Sequence, residues 1–320
     1  MRGLSFSYHG DYRVQSKKSY RFSTLEGVFL SGPNLLNNDS VNKALRASNL
    51  YDGESSINLR GAEITVRTGM FDSEFDILYK RDFFIPGYSS ASFAADLVDV
   101  AKSLRLWNDR LPFLNCIFDE ETIHNAKSIL DDLTNVITNE YFCHEAGHFL
   151  GCNILTKYRS GYFKVQQRTI WPLIYVEEFR ADIQGTEVVK NLLPIAEFSQ
   201  LILYNLFLRF GVAAYGVRVR REAYGNIPFL LFRLLHKIDF LTITSGPSGD
   251  RLRIPKLGSA DIENAAAECL EHVTKRLTKY EVENKSDIEK IGINSLQYYR
   301  EQVADERAVT SYKRIFCLKD

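Results

Sequence analysis

Hydrophobic and polar positions alternate along the first third of the chain. Up to about residue 95, apolar residues recur at every second position or stand in β-branched and aromatic runs, separated by Gly, Pro, Asn and Asp clusters. This pattern predicts short strands at 4–8, 19–22, 27–30, 56–59, 62–67 and 74–79. Residues 40–48 have helical spacing instead.

From residue 90 onward the apolar period changes to about 3.6 residues. It predicts helices at 91–106, 120–137, 139–158, 174–193, 197–210, 226–241, 260–278 and 287–308. We therefore predict an α+β fold in which a β-rich N-terminal region, 1–95, precedes a mostly α-helical region, 96–320. The two regions form separate domains or one continuous domain.

The amino-acid composition limits the kinds of molecule that the protein could bind. The chain of 320 residues has 40 Lys and Arg against 40 Asp and Glu, a balance that argues against a general nucleic-acid binder. Five scattered cysteines without a C-x-x-C pair argue against a disulfide framework, and no apolar segment has the form of a signal peptide or membrane span. We expect a cytoplasmic protein with a small or neutral partner and no membrane, and the oligomeric state is open.

The segment His144-Glu145-Ala146-Gly147-His148 lies within a predicted helix. Histidines at i and i+4 share one helical face, so both imidazoles can reach one cation, while the intervening glutamate can act as a general base. The alternative, two histidines hydrogen-bonded in the core, would bury polar groups at high cost without a cation. The motif predicts His144 and His148 as zinc ligands and Glu145 as the base.

A second helical segment, 177–182, reads Glu-Glu-Phe-Arg-Ala-Asp. A catalytic zinc site needs three protein ligands, and Glu178 would supply the third. Asp182 is one turn further along and would accept the outer N–H of a ligand histidine. These residues predict a metal site between two helices, against the alternative of a solvated acidic face.

H-E-x-x-H followed by E-x-x-x-D resembles the gluzincin group of zinc metallopeptidases. The spelling at 177–182 resembles the E-E-x-R-A-[DE] element of the dipeptidyl-peptidase III family and its smaller relatives, with a weaker echo at 221–225. Those enzymes have the longer motif H-E-x-x-x-H. The resemblance covers about residues 140–190. It implies a metalloprotease-like helical domain with His144, His148 and Glu178 as ligands, Glu145 as base and Asp182 orienting a histidine.

Two neighbouring families fit the residues less well. Metzincins place a third histidine where this chain has Ile154, although Gly151 matches their glycine. Proteases linked to a membrane span or an ATPase also use H-E-A-G-H, but the chain has neither a span nor a phosphate-binding loop. Tyr224, at a predicted helix start, is a candidate donor to a developing oxyanion, with a packing role as the alternative.

The predicted function is a zinc-dependent hydrolase of a peptide or small amide, with Glu145 activating a water. An alternative is a non-haem iron enzyme that modifies small molecules and binds Fe²⁺ through the same two histidines and carboxylate. A third is a non-catalytic, zinc-stabilised binding protein in which Cys152 could be the fourth ligand.

Overall fold

The fold is taken from a computed structural model. It describes residues 2–13, 19–32, 36–53, 56–69, 77–78, 97–130, 133–216, 226–246 and 249–316. The N-terminal part contains helix α1 (Asn38–Ala47) and strands β1 (Arg2–Arg13), β2 (Ser19–Leu30), β3 (Arg60–Thr68), β4 (Ile77–Leu78) and β5 (Leu97–Asp99). The strands form one sheet in the order β1-β2-β3-β5-β4. All adjacent pairs are antiparallel except β3 with β5, which is parallel.

The helical part begins directly after β5. Its helices are α2 (Val100–Ile117), α3 (Glu120–Ile129), α4 (Leu133–His148), α5 (Ile154–Arg159), α6 (Trp171–Gln184), α7 (Thr186–Val189), α8 (Ile195–Gly216), α9 (Ile227–Lys237), α10 (Ser259–Val273), α11 (Lys279–Glu283), α12 (Ile288–Val303) and α13 (Glu306–Ile315). A π-helical turn, Thr274–Thr278, joins α10 to α11. This order confirms the α+β prediction of a β-rich N-terminus followed by helices.

Two short hairpins interrupt the helices: β6 (Lys164–Val165) with β7 (Arg168–Thr169), and β8 (Thr242–Gly246) with β9 (Gly249–Arg253). The hydrophobic pattern did not predict either one. None of the helices in the described part of the chain combines the length and apolar character needed to cross a bilayer.

Two predicted elements in the N-terminal part differ from the structure. Residues 56–59 form no strand, because Asn42 of α1 bonds both the N–H and the C=O of Ile57 at 2.8 Å. The predicted helix 91–106 is wrong at 97–99, which form β5; α2 begins only after Asp99, whose carboxylate caps the N–H of Lys102. Most of the predicted strand 74–79 lies outside the described residues.

The predicted helix 139–158 is divided in the structure. Helix α4 ends at His148, and Gly151 then takes a φ of 102°, a left-handed conformation that favours glycine. Asn153 caps the next helix, α5. The predictions 120–137, 174–193 and 287–308 are likewise each divided between two helices. The division places His148 at the end of its helix.

Helices α4 and α6 cross antiparallel at very close range. A Cβ on Gly147 would lie 2.0 Å from the carbonyl oxygen of Ala181, and one on Gly185 would lie 1.8 Å from that of Cys143. Only glycine allows backbones to approach this closely. The glycine of the H-E-A-G-H segment therefore serves the helix crossing, which brings the side chains of the two motifs together.

The N-terminal part packs directly on α4. The amide of Leu36 donates to Asn139 Oδ1 at 3.0 Å, and the amide of Gly151 donates to the carbonyl of Leu50 at 2.7 Å. The sheet itself extends across residue 95, since β3 and β5 pair. The N-terminal region thus contacts both the helix that carries the two histidines and the turn that follows it.

Candidate metal centre

The three predicted metal ligands lie together where α4 and α6 cross. The Nε2 atoms of His144 and His148 are 3.2 Å apart. Glu178 Oε2 lies 3.3 Å from His144 Nε2, and Glu178 Oε1 lies 4.0 Å from His148 Nε2. One ligand atom from each residue is within 4.8 Å of the other two, a geometry able to hold a metal ion.

Each histidine also contacts a carboxylate through its outer nitrogen. Asp182 Oδ1 lies 2.7 Å from His144 Nδ1, the orienting contact expected for this residue. Glu177 Oε1 lies 2.9 Å from His148 Nδ1, a contact that the sequence analysis did not assign. Carboxylates at this position fix the ring orientation and tautomer of a metal-binding histidine.

Glu177 belongs to a buried cluster of four charged side chains, here called the charge cluster: Lys157, Glu177, Arg180 and Glu281. Lys157 Nζ lies 2.6 Å from Glu177 and 2.8 Å from Glu281, and Arg180 lies 2.6 Å from Glu177. Burial alone would raise the pKa of Glu177, but Arg180 and Lys157 hold it well below its usual range. Glu177 is therefore an ionised acceptor.

Arg180 has a second role at the end of α4. Its guanidinium donates to the carbonyl oxygens of Gly147, at 3.2 Å, and Leu150. A cation at a helix C-terminus satisfies carbonyls that have no partner within the helix and interacts favourably with the helix dipole. Arg180 thus ties the end of the histidine-bearing helix to α6.

Asp182 is held by Arg209 of α8. The guanidinium donates to both carboxylate oxygens, at 2.7 and 2.5 Å, and keeps the pKa of Asp182 below its usual value against the opposing effect of burial. Glu140 lies one turn before His144, accepts a hydrogen bond from Asn205 at 2.8 Å, and has a pKa raised by burial.

These contacts determine where the imidazole protons lie. Because Asp182 and Glu177 are ionised and can only accept, both Nδ1 atoms carry hydrogen. The two Nε2 atoms and the Glu178 carboxylate then face one another as acceptors, an arrangement suited to a shared cation. Burial lowers the pKa of His144, but the hydrogen bonds of Asp182 and Glu178 raise it well above its usual value, which favours a protonated ring when no metal is bound.

The donor set could hold a metal ion such as zinc. Two imidazole nitrogens and one carboxylate oxygen are the ligands of many catalytic zinc sites, and bonds of about 2.0–2.1 Å give ligand–ligand distances of about 3.3–3.4 Å in a tetrahedron. The observed 3.2 and 3.3 Å are close to these values, whereas the distance of 4.0 Å between His148 Nε2 and Glu178 Oε1 is longer. The three side chains are 12%, 11% and 21% exposed, so solvent reaches part of each.

The other residues predicted for the site are Glu145, Tyr224 and Cys152. Glu145 is buried on α4, with 4% of its surface exposed. Tyr224 lies outside the described residues. Cys152 is not among the clustered ligands: its backbone N–H donates to Glu281 at 3.0 Å, and burial raises the pKa of its thiol to about 11. This placement does not favour Cys152 as a fourth ligand.

Sequence patterns did not predict four residues that support the ligands: Lys157, Glu177, Arg209 and Glu281. Arg209 gave a visible signal, because it interrupts the apolar run of α8. Glu177 stands next to a predicted ligand, and its burial was not apparent from spacing. Lys157 and Glu281 are 124 residues apart and gave no local signal.

No protein-family model matches this chain, and no curated protein shows significant sequence similarity to it. The resemblance to gluzincins and to the dipeptidyl-peptidase III family therefore stays a prediction. Support for a metal centre comes from the arrangement of side chains described above.

Proposed function

We propose that the protein is a zinc-dependent hydrolase of peptide or amide bonds. The supporting observation is the convergence of His144 Nε2, His148 Nε2 and the Glu178 carboxylate, whose ligand atoms lie within 4.8 Å of one another, while Asp182 and Glu177 contact the outer nitrogens of the two histidines. Three protein ligands leave one coordination position for water or substrate, which is the arrangement of catalytic rather than structural zinc sites.

A bound Zn²⁺ would polarise a substrate carbonyl and lower the pKa of a water to about 7. Glu145 follows the first ligand directly and would take the proton from that water and pass it to the leaving nitrogen. Its burial, at 4% exposed, favours a carboxylate that acts within a partly dry site.

The orienting carboxylates contribute little net charge to the site. Glu177 is offset by Lys157 and Arg180, and Asp182 is offset by Arg209. Glu178 is the one anion in the ligand set, so a divalent cation bound by it and by two neutral imidazoles would leave one positive charge on the metal and its ligands. That charge is what stabilises an oxyanion.

Glu145→Gln separates metal binding from catalysis. We expect this variant to keep one equivalent of zinc, measured by elemental analysis of the purified protein, and to lose about 10²–10⁴-fold in hydrolysis of a quenched fluorescent peptide pool. Glu289→Gln, an exposed glutamate on α12, is the matched control and should keep wild-type activity.

Wild-type hydrolysis by Glu145→Gln would contradict the mechanism. Copurified iron with metal-dependent oxygen uptake would contradict the assignment to zinc and favour the alternative of an iron enzyme.

A further inference from the structure

One face of α6 is open to solvent along the first half of the helix and ends at the candidate metal centre. Trp171, Tyr175 and Glu178 follow one another at steps of four and three residues, so they share this face. Trp171 is 48% exposed and the other two are half-buried, whereas Leu173 and Val176 are buried on the opposite side. The metal ligand is thus continuous with a surface of two aromatic rings.

The aromatic rings on this face are held in place. The rings of Trp171 and Tyr175 are nearly parallel, with an interplanar angle of 19° and centroids 6.5 Å apart. The ring centroid of Tyr299 of α12 lies 6.1 Å from that of Tyr175. The Tyr299 hydroxyl donates to Asn226 Oδ1 at 3.3 Å. The Tyr175 ring therefore contacts one ring on α6 and one on α12, and a ring packed in this way loses little entropy when a ligand binds.

The spacing of these rings matches an extended peptide. Side chains two residues apart on one face of a β-strand are separated by about 6.6–6.8 Å, close to the 6.5 Å between the two ring centroids. Along the helix axis, Tyr175 precedes Glu178 by about 4.5 Å and Trp171 precedes it by about 10.5 Å. These offsets correspond to roughly the first and third residues of an extended chain that starts at the metal.

We propose that Trp171 and Tyr175 form a substrate-binding site for an extended peptide that carries aromatic side chains at two alternate positions on one side of the cleaved bond. This proposal specifies the substrate as a peptide rather than a small amide. Only the position of the two rings relative to the cleaved bond rests on the proposed function. Ring stacking and burial of apolar surface supply the affinity.

Binding is measured on zinc-loaded Glu145→Gln protein, in which the proposed mechanism prevents turnover. The probes are acetylated, amidated tetrapeptides: Phe-Ala-Phe-Ala with alternate rings, Ala-Phe-Phe-Ala with adjacent rings, and tetra-alanine. We expect the alternate peptide to bind about tenfold more tightly than the adjacent one, and tetra-alanine to bind most weakly. Equal affinity for all three peptides would overturn the proposal.

Variants locate the binding. Trp171→Ala should weaken binding of the alternate peptide about tenfold. Trp171→Phe should keep the affinity but lose the change in tryptophan emission, because the remaining Trp107 is only 5% exposed. Tyr158→Ala, which removes an aromatic ring of similar exposure (51%) from α5 rather than from the α6 face, is the control and should have no effect. A Trp171→Ala protein with unchanged affinity would overturn the proposal.

The two proposals fail separately. If the peptides bind as expected but no metal-dependent hydrolysis is found, the proposed function is wrong and the aromatic site stands. If Glu145-dependent hydrolysis is found with no preference for aromatic peptides, the function stands and the aromatic site is wrong.

Discussion

The Nε2 atoms of His144 and His148 lie 3.2 Å apart, while both Nδ1 atoms face ionised carboxylates. Two nitrogen lone pairs directed at one point favour a cation between them. Burial opposes protonation of His144, but the hydrogen bonds of Asp182 and Glu178 raise its pKa well above its usual value. We therefore expect a proton on His144 in the metal-free protein, where it would compete with zinc.

This competition predicts that zinc stabilises the protein more at higher pH. A histidine whose folded pKa is raised contributes stability to the metal-free protein that is complete below its unfolded pKa of about 6.5 and is lost as pH rises through its folded pKa. Zinc must displace that proton, so the zinc affinity should rise by up to about tenfold per pH unit in the neutral range.

Thermal unfolding at pH 6, 7 and 8, with and without zinc, measures the effect. The increase in Tm on adding zinc should grow from pH 6 to pH 8. Calorimetric titrations in two buffers of different ionisation enthalpy should show proton release. His124→Gln, a change at an exposed histidine of α3, should leave the pH profile unchanged. An equal Tm increase at all three pH values would show that zinc and a proton do not compete at His144.

The orienting carboxylates should matter for metal affinity although they do not bind the metal. Asp182→Asn and Glu177→Gln each weaken the hold on one imidazole, and we expect zinc affinity to fall about 10–100-fold in each variant. Competition with a fluorescent zinc chelator measures the change. Zinc affinity equal to wild type in both variants would show that the outer contacts do not orient the rings.

The charge cluster should behave as one unit. Lys157 is fully buried, and Lys157→Met leaves Glu177 and Glu281 with Arg180 as their remaining close cation, at a cost of about 3–5 kcal/mol. Adding Glu281→Gln restores the charge balance. The double variant should therefore lose less stability than the sum of the single variants, by about 1–3 kcal/mol in urea unfolding. Additive losses would mean that the two charges are independent.

The close crossing of α4 and α6 predicts that Gly147→Ala damages both stability and metal binding. The added Cβ would lie 2.0 Å from the Ala181 carbonyl oxygen, so the helices must separate, at a cost of about 1–3 kcal/mol or more. Gly292→Ala in α12 is the control: its nearest neighbour is at 3.5 Å, and stability should be unchanged or rise by up to about 1 kcal/mol. Equal free energies of unfolding for the two variants would contradict the close approach of α4 and α6.

Residue spacing predicted the parts of the site that depend only on helix geometry. His144 and His148 share a helical face, and so do Glu178 and Asp182; the structure brings these four side chains together. The end of α4 at His148 was not predicted, because it depends on a left-handed Gly151 and on Arg180 from another helix. The apolar period alone continued the helix past this point.

The supporting charges could not be predicted for a different reason. Lys157 and Glu281 belong to segments far apart in sequence, and each alone has the pattern of an ordinary surface charge. Their side chains are buried where Lys157 of α5 and Glu281 of α11 meet charged residues of α6. Similarly, strand β5 is defined by its pairing with β3 and β4, and the local pattern of residues 97–99 does not predict that pairing.

We propose that one zinc ion binds between α4 and α6. Anomalous scattering on both sides of the zinc absorption edge, measured from crystals of protein purified with zinc, would locate that ion. We expect one zinc peak about 2.0–2.1 Å from His144 Nε2 and His148 Nε2 and beside a Glu178 oxygen. A zinc peak elsewhere, or no peak among these three side chains in zinc-supplied crystals, would contradict it.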